Sequence, residues 1–319
     1  MMLLETLQSW QDAAFNLFLA PLLFQLGLGN LLEIAYDAMD WFWFGCLQVL
    51  FLILVLMPLE RWRPVEPPRW SPQVRVDVLY TLIHRLGLFR LGFFFTLGPL
   101  IQEAFNALRM AGLATFNIDQ VWPGVTDVAW VSFLIYLVVF DAVNYGYHRL
   151  QHQWDPLWEL HAVHHSQRQL TVWSDNRGHL LDDALHASVM AGVALIIGVE
   201  PSQFVAWVAV TQLLESLHHA NLRLAWWPWM ERILVSPRFH RLHHAIGTGN
   251  EFAGSKFDQH NFGVLFPVWD LMFKTARFSA HFYPTGVRDL VELGRNYGEG
   301  FWSQQWLAMV RLAKRIGSA

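Results

Sequence analysis

The chain has 319 residues, of which 54% are hydrophobic and only 15% are charged, and its formal net charge at pH 7 is −4. Soluble domains carry about 25% charged residues, so the deficit indicates that lipid is part of the solvent. The acidic balance gives no sign of nucleic-acid binding, and a single cysteine, Cys46, excludes an intrachain disulfide.

The first half of the chain contains apolar segments that predict membrane-spanning helices. Its opening residues carry Glu5 and Asp12 but no basic stretch, which is not the pattern of a cleaved signal peptide. A spanning helix needs about 20 mostly apolar residues. The candidates in chain order are residues 13–33, which Asn16, Gln25 and Asn30 interrupt, and residues 41–59, 79–102 and 126–147.

A further apolar region, residues 184–217, is divided by Gly198, Glu200 and Pro201. This pattern predicts a helical hairpin, whose short arms are expected to re-enter the bilayer without crossing it. Residues 148–319 are richer in charge, histidine and turn residues, and we interpret them as a helical cap on the spans. The sequence predicts an all-α integral membrane bundle of about four spans, with one domain over residues 1–319.

Basic residues set the expected orientation of the spans. Residues 60–77 hold four arginines, whereas residues 103–125 hold only Arg109. Because positive residues stay in the cytoplasm, the first segment is expected inside and the second outside. The fourth span then returns to the cytoplasm just before His148, so the histidine-rich region is expected at the inner membrane face.

Fourteen of the 15 histidines follow residue 147, and eight of them form three boxes. The boxes are H-x3-H at His148 and His152, H-x2-HH at His161, His164 and His165, and H-x2-HH at His240, His243 and His244. Residues at i and i+4 share one face of a helix, whereas adjacent side chains diverge by about 100°. A pair of adjacent histidines can therefore serve two metal ions.

The metal is less constrained than the site. Imidazole suits zinc, copper, iron and nickel, but zinc sites usually stop at four ligands. Iron accepts about five or six ligands and carries out oxygen chemistry, so a pair of irons fits the number of histidines. Outside the boxes, His84, His260 and His281 are interpreted as structural.

Longer motifs surround these boxes. They are DAVNYGYHRLQH at 141–152, PLWELHAVHHS at 156–166, LHHANLRL at 217–224, SPRFHRLHH at 236–244, and NFG at 261–263 followed by Trp269 and Asp270. Together they resemble the fatty acid hydroxylase and sterol desaturase superfamily of membrane di-iron enzymes. The resemblance covers about residues 45–277 and is most specific from residue 141 onward.

The resemblance implies a set of metal ligands. These are His148, His152, His161, His164, His165, His219, His240, His243 and His244, with His179 as a tenth candidate. His219 is placed in the ligand role in preference to His218. The alternative for His179 is a supporting or helix-capping histidine, because Leu180 and Asp182 replace a proline and a glutamate of the family pattern. Lys274 stands where the family usually has glycine.

The resemblance also implies an activity and its partners. Two iron ions and O2 would hydroxylate a C–H bond of a membrane lipid: a sterol, fatty acyl chain, alkylglycerol, carotenoid or aminolipid. The sequence has no haem-binding H-P-G-G element, nucleotide fingerprint or iron–sulfur cysteines, so electrons are expected from a separate reductase or electron-transfer protein. A bacterial inner membrane is the expected location.

Three alternatives remain open. A lipid desaturase would use the same di-iron centre. A zinc-binding transporter or sensor is disfavoured because the spans offer almost no intramembrane ionisable pathway. An inactive scaffold is disfavoured because the boxes are intact.

Two groups of residues are candidates for supporting roles. Ligating histidines commonly donate their second N–H to a carboxylate or carbonyl, and the nearby candidates are Asp141, Asp175, Asp182, Glu215 and Asp258. The aromatic runs at residues 93–95 and 226–229 could line a lipid path, although such runs are also typical of interfacial helices, which is the favoured interpretation.

Overall fold

We describe the chain from a computed structural model, which covers residues 2–249 and 259–317. These residues form helices and loops, with no β-strand among them and only two isolated bridges, Pro64 with Leu222 and Ala245 with Thr285. The helices are α1 Met2–Ala14, α2 Ala20–Gln25, α3 Leu32–Phe51, α4 Met57–Trp62, α5 Pro72–Arg85, α6 Leu88–Met110, α7 Ala129–Gln153, α8 Asp155–His165, α9 Leu180–Ile197, α10 Pro201–His219, α11 Pro237–His243, α12 Val268–Met272, α13 Arg288–Glu292 and α14 Phe301–Gly317. The all-α prediction is confirmed.

Three helical segments in the described residues are long and apolar enough to cross a membrane. They are Gly29–Trp62, Ala129–Gln153 and Leu180–Ile197. The first joins α3 to α4 through a π-helical turn, and its outward side chains are large and apolar, with Leu54 69% exposed. Helices α5 and α6 pass the same test only as a pair, which is bent by 55°. The predicted segment 41–59 falls inside the first of these candidates, and the predicted segment 126–147 overlaps the second, which begins at Ala129.

Two other predicted spans differ from the structure. No single helix covers residues 13–33: α2 ends at Gln25, and the chain turns at Gly27, whose φ of 71° favours glycine. Residues 79–102 are also not one straight helix, because α5 ends at Arg85 and Gly87 takes a φ of 82° before α6 begins. In both cases the predicted span is interrupted at a glycine that adopts left-handed backbone conformation.

The hairpin prediction is confirmed in outline. Helix α9 ends at Ile197 and is followed by Gly198, which has a φ of 66°, and Pro201 occupies the first turn of α10. These are the residues that favour the end and the start of a helix. The expectation that both arms are too short to cross is wrong for α9, which qualifies as a span by itself.

The central core forms around α7. Tyr136 and Phe140 are fully buried, and the Phe140 ring stacks on Trp207 of α10 with ring centroids 4.5 Å apart. The next residue, Asp141, is buried and accepts hydrogen bonds from the main-chain N–H groups of Leu265 and Phe266 at 2.8 and 3.1 Å. This carboxylate attaches the loop before α12 to α7.

A buried glutamate holds α14 against α8. Glu159 is 1% exposed and lies within 3.2 Å of Arg295 and Arg311 and 3.1 Å of Arg315. Because isolated buried charge is costly, these guanidinium groups are needed to keep the carboxylate in place. The N-terminal turns of α14 therefore lie at a fixed position beside α5 and α9.

Helix α3 packs tightly against the end of α5 at Gly45. A Cβ atom built on this glycine would lie 1.7 Å from the main-chain oxygen of Arg85. In contrast, a Cβ built on Gly92 of α6 would meet nothing within 4 Å. Gly45 therefore determines how α3 packs beside the end of α5.

We expect Gly45→Ala to destabilise the protein, because the added methyl group forces α3 and α5 apart at a cost of about 1–3 kcal/mol. Melting of the detergent-purified protein, followed by scanning fluorimetry, measures the effect. Gly92→Ala is the matched control and should melt at or slightly above the wild-type temperature, since alanine favours a helix. Equal melting temperatures for Gly45→Ala and wild type would contradict the packing argument.

Candidate metal centre

Four helices bring nine buried or nearly buried histidines together. One set, the five-histidine group, comprises His148, His152, His161, His165 and His243. The second, the four-histidine group, comprises His164, His219, His240 and His244. In each group one ring nitrogen per histidine lies within 4.8 Å of all the others, which is compatible with a shared metal ion.

Local sequence explains how the first two boxes meet. Helix α7 ends at Gln153, Trp154 is extended, and Pro156 lies in the first turn of α8. The chain therefore folds back, and His161 lies beside His148 with ring centroids 5.1 Å apart. The third box lies on α11, a helix of seven residues whose N-cap Ser236 accepts a hydrogen bond from the main chain of Phe239.

The adjacent histidines are divided between the two groups. His165 and His243 belong to the five-histidine group, whereas their neighbours His164 and His244 belong to the four-histidine group. The two groups share a boundary, at which the rings of His165 and His244 stack with centroids 4.3 Å apart. The arrangement follows from the divergence of neighbouring side chains on a helix.

Main-chain carbonyl groups orient four of the imidazoles. The Nδ1 atoms of His148, His164, His219 and His243 lie 2.8–2.9 Å from the carbonyl oxygens of Phe262, Arg177, Glu215 and His260, respectively. Because a carbonyl oxygen only accepts, each Nδ1 carries the hydrogen and each Nε2 carries a lone pair. These lone pairs are directed into the two groups.

A carboxylate orients a fifth imidazole. Asp182 Oδ2 lies 3.4 Å from His161 Nδ1 and 2.7 Å from Gln151 Nε2, and Asp182 Oδ1 accepts from the Tyr147 hydroxyl at 2.9 Å. Asp182 was a predicted supporting residue, and the structure places it in contact with a predicted metal ligand.

The imidazole Nε2 atoms that face the interior of the two groups are arranged as a bound cation would require. His164 Nε2 and His219 Nε2 both carry lone pairs, yet they lie 3.1 Å apart. Two such atoms repel each other unless a positive ion shares them, and nitrogens about 2.1 Å from one ion at right angles are about 3 Å apart. The buried Nε2 atoms of His148, His161 and His243 make no hydrogen bond within the described residues. The donor set therefore fits metal ions.

The protonation state of the histidines is also suited to metal binding. Burial first, and then neighbouring imidazoles, hold the pKa values of five of these histidines well below the ordinary value of 6.5. They are His164, His165, His240, His243 and His244. These rings are neutral at pH 7, so their lone pairs are free to bind a metal without first losing a proton.

The loop that follows the third box is folded around Asn261. This residue has a φ of 60°, and its side-chain amide donates to the carbonyl oxygens of Phe239 and Arg277 at 3.1 and 2.9 Å. Lys274, which replaces the usual glycine of the family pattern, has a φ of 58°. That left-handed backbone explains why glycine suits the position.

The structure places His179 outside both groups. Its Nδ1 accepts from the main-chain N–H of Leu181 at 3.1 Å as the N-cap of α9, and its Nε2 lies 3.1 Å from the carbonyl oxygen of Gln305. Both ring nitrogens are therefore used in helix capping and packing. The prediction of a tenth metal ligand is corrected to the capping alternative.

Other predicted supporting residues have different positions. Asp141 holds the loop at 265–266, and Asp175 pairs with Arg85 at 2.6 Å. Glu215 supports His219 through its main-chain oxygen and not through its carboxyl group. Asp258 lies outside the described residues. The carbonyl groups that orient the rings had no side-chain signal in the sequence.

A cavity of about 690 Å³ leads to both groups of histidines. Its apolar wall comes from α6, α9 and α10 and includes Phe93, Phe94, Met190, Phe204 and Trp207. At its inner end the lining includes His148, His161, His164, His219 and His240. Trp227 and Trp229 are not part of the lining and are 69% and 61% exposed, in agreement with the interfacial interpretation.

Comparisons with known proteins agree with this geometry. Residues 133–275 match the family model described as fatty acid hydroxylase. The chain is 26% identical over 272 residues to an ornithine lipid hydroxylase of Rhizobium tropici, covering 82% of this chain and 76% of that protein. No solved structure matches the chain.

Two eukaryotic relatives match shorter regions. An alkylglycerol monooxygenase of Danio rerio is 31% identical over 47% of this chain and 31% of its own length. A Delta(7)-sterol 5(6)-desaturase of Gibberella zeae is 24% identical over 47% of this chain and 50% of its own length. The chain therefore spans half or less of these two relatives.

We expect Asp182→Asn to weaken metal binding about tenfold or more, because the carboxylate that orients His161 is lost. Competition of a chromophoric chelator for Co²⁺ bound to the purified protein measures the affinity. Asp183→Asn, one residue further along α9, is the matched control, because Asp183 contacts His84 at 3.4 Å and neither histidine group. Equal affinities for the two variants would show that Asp182 has no such role.

Proposed function

We propose that the protein is an oxidoreductase that hydroxylates a membrane lipid with O2 at a di-iron centre. The proposal starts from the match of residues 133–275 to the fatty acid hydroxylase family model. The observation that carries the proposal is the pair of adjoining histidine groups, nine imidazoles that lie at the end of a largely apolar cavity. We also treat residues 1–319 as one domain, since α14 packs on α8 and the loop before α12 is attached to α7.

The proposed ligands are the nine histidines of the two groups. One iron would be held by His148, His152, His161, His165 and His243, and the other by His164, His219, His240 and His244. Five and four nitrogen donors leave about one or two positions open on ions that accept six, which suits a centre that must bind O2. Bound irons would supply the activation of O2 that attack on an unactivated C–H bond requires.

The protein positions the substrate and restricts water. An apolar wall that includes Met190, Phe204 and Trp207 excludes water and holds a hydrocarbon chain along the cavity. The carbonyl groups behind His164 and His219 keep those rings from rotating, so the inner nitrogens stay in place during turnover. The reaction consumes two electrons, which we assign to a separate reductase or electron-transfer protein.

The names of the matched relatives support a lipid as the substrate. They include an ornithine lipid hydroxylase and an alkylglycerol monooxygenase, and both names specify an oxidised lipid. The cavity lies between the candidate spans, where α3 and α6 contribute Trp41 and Phe94 to its lining. A lipid could therefore enter from the bilayer without passing through water.

We further propose that the histidines lie on the cytoplasmic side of a bacterial inner membrane. Four arginines in residues 60–77 lie at or just after the end of the first candidate span. If the bent pair α5–α6 crosses the membrane once and α7 crosses back, α7 ends near its histidines on the same side as these arginines. The first relative described above is bacterial. Orientation by positive residues supports the cytoplasmic assignment.

A desaturase is the second candidate function, since one relative is a sterol desaturase. It would use the same centre and differ only in the fate of the oxidised substrate. A non-catalytic zinc-binding protein is the remaining alternative, and metal analysis separates it from both enzymes.

We expect the detergent-purified protein, prepared without added zinc, to contain about two irons per chain. His164→Ala should lose most of the iron, because it removes one of the four nitrogens of its group. His281→Ala is the matched control, since His281 is exposed and belongs to neither group. Metal analysis by mass spectrometry measures the content.

The same preparations test the reaction. The wild-type protein, incubated with a lipid extract, O2 and a reductant, should yield lipids heavier by one oxygen atom, and His164→Ala should not. Lipids lighter by two hydrogens would favour the desaturase. Zinc alone, with no oxygen chemistry after iron reconstitution, would contradict both enzymatic functions.

A further inference from the structure

The inner end of the cavity is polar, although the rest of its wall is apolar. Glu215, Asp175 and Asn176 line it there. Glu215 lies one turn before His219 and accepts its Nδ1 hydrogen through the main chain, and Asn176 precedes Arg177, whose carbonyl oxygen accepts from His164. These side chains therefore lie directly beside the four-histidine group.

Glu215 has a carboxyl group without a hydrogen-bond partner in the described part of the chain. Its main-chain oxygen is used by His219, but its half-buried side chain makes no hydrogen bond there and lines the cavity. The Arg85 guanidinium donates through its terminal nitrogens to Asp175 at 2.6 Å and to Ser216 at 2.8 Å, and its Nε makes no hydrogen bond in the described residues. A carboxyl group in this position has free acceptor oxygens for a ligand that supplies a hydrogen-bond donor.

Two neighbouring polar atoms are in the same situation. Asp175 uses Oδ2 for Arg85 and Ser216, but its buried Oδ1 has no partner among the described residues. The buried Nδ2 of Asn176 also has none there. Buried polar atoms without partners are uncommon in proteins, and these two, beside the unpartnered Glu215 carboxyl group, indicate a subsite for a polar group of a ligand.

The charges at the subsite favour a cationic group. The cavity lining contains the carboxyl groups of Asp37, Asp175, Asp182, Asp183 and Glu215, and two arginines, Arg90 and Arg177. Arg177 is neutralised by Asp77 at 2.7 Å, and Arg90 stacks over Trp41 with its guanidinium 3.4 Å from the ring centroid. The Glu215 carboxyl therefore has no dedicated counterion, and an ammonium group would provide both charge and N–H donors.

We infer that the cavity binds an amine-bearing lipid with its polar end inward, so that the ammonium group contacts Glu215 and Asp175 beside the four-histidine group. The hydrocarbon chains run outward along the wall formed by Phe93, Met190 and Trp207. The inference rests on the proposed function for the use of the cavity by a lipid. Its consequence is that the oxidised carbon lies within a few bonds of the amine, and not at the far end of an acyl chain.

Binding of three single-chain probes tests the inference without turnover. Dodecylamine, dodecanol and dodecanoate have hydrocarbon chains of the same length and differ in the charge of the polar group. Apparent Kd values are measured anaerobically on the full-length protein in one detergent, by displacement of radiolabelled dodecylamine. Each probe partitions into the detergent equally whichever variant is present, so the ratio of Kd values between variant and wild type is free of that effect.

We expect the wild-type protein to bind dodecylamine most tightly. Glu215→Gln should weaken dodecylamine about tenfold or more, because a charge-assisted hydrogen bond is lost, and should change dodecanol much less. Glu215→Asp, which retains the charge, should retain the preference for the amine. Glu299→Gln is the control, since Glu299 is exposed and does not line this cavity, and it should bind all three probes like wild type.

Several results would overturn the inference. They are equal binding of the amine and the alcohol by wild type, a preference for dodecanoate, and an amine preference that persists in Glu215→Gln. Unchanged dodecanol binding shows that the variant cavity is folded, and if Glu215→Gln does not fold, loss of the preference in Glu215→Asp contradicts the inference. If the protein contains no iron and oxidises no lipid but keeps a Glu215-dependent amine preference, the proposed function fails and the amine subsite stands.

Discussion

The structure depends on holding buried imidazoles in a single orientation. A histidine ring can rotate and can carry its hydrogen on either nitrogen, so a cluster of nine has many arrangements that bind no metal. Here the choice is made by acceptors behind the rings: the carbonyl oxygens of Phe262, Arg177, Glu215 and His260, and the carboxylate of Asp182. Each acceptor belongs to a segment that must itself be held in place.

Buried carboxylates hold several of those segments. Asp77 of α5 pairs with Arg177, and the Nε of Arg177 also donates to the carbonyl oxygen of Val163 of α8. The backbone at Arg177, whose carbonyl oxygen supports His164, is therefore attached to both helices. Asp270 accepts from the main-chain N–H groups of Phe262 and Gly263, which positions the carbonyl group behind His148. Removing one member of such a buried network leaves charge or dipoles uncompensated, so these contacts hold the segments that they join with little freedom.

The backbone contacts that orient the imidazoles also position a side chain of the cavity wall. Because Glu215 and His219 lie one turn apart on α10, the main-chain contact that orients the imidazole also places the Glu215 side chain at the cavity wall. Under the proposed function, one helical turn would therefore serve both substrate recognition and metal support. A substrate bound there would be aligned with the four-histidine group by the backbone itself.

The sequence by itself determined the all-α class, two candidate spans, the hairpin and the three histidine boxes, because apolar length and the spacing of residues along a helix are local properties. Only the tertiary structure decided the rest. Residue spacing could not show that His179 caps α9, that glycines interrupt two expected spans, or that carbonyl groups orient four rings. Residue spacing also could not show that the Asp141 carboxylate holds a loop, whereas the Glu215 carboxyl group lines the cavity without a hydrogen-bond partner in the described residues. These differences depend on which distant segment comes within hydrogen-bonding distance, and that is fixed by packing and by the burial of polar groups, not by the sequence around each residue.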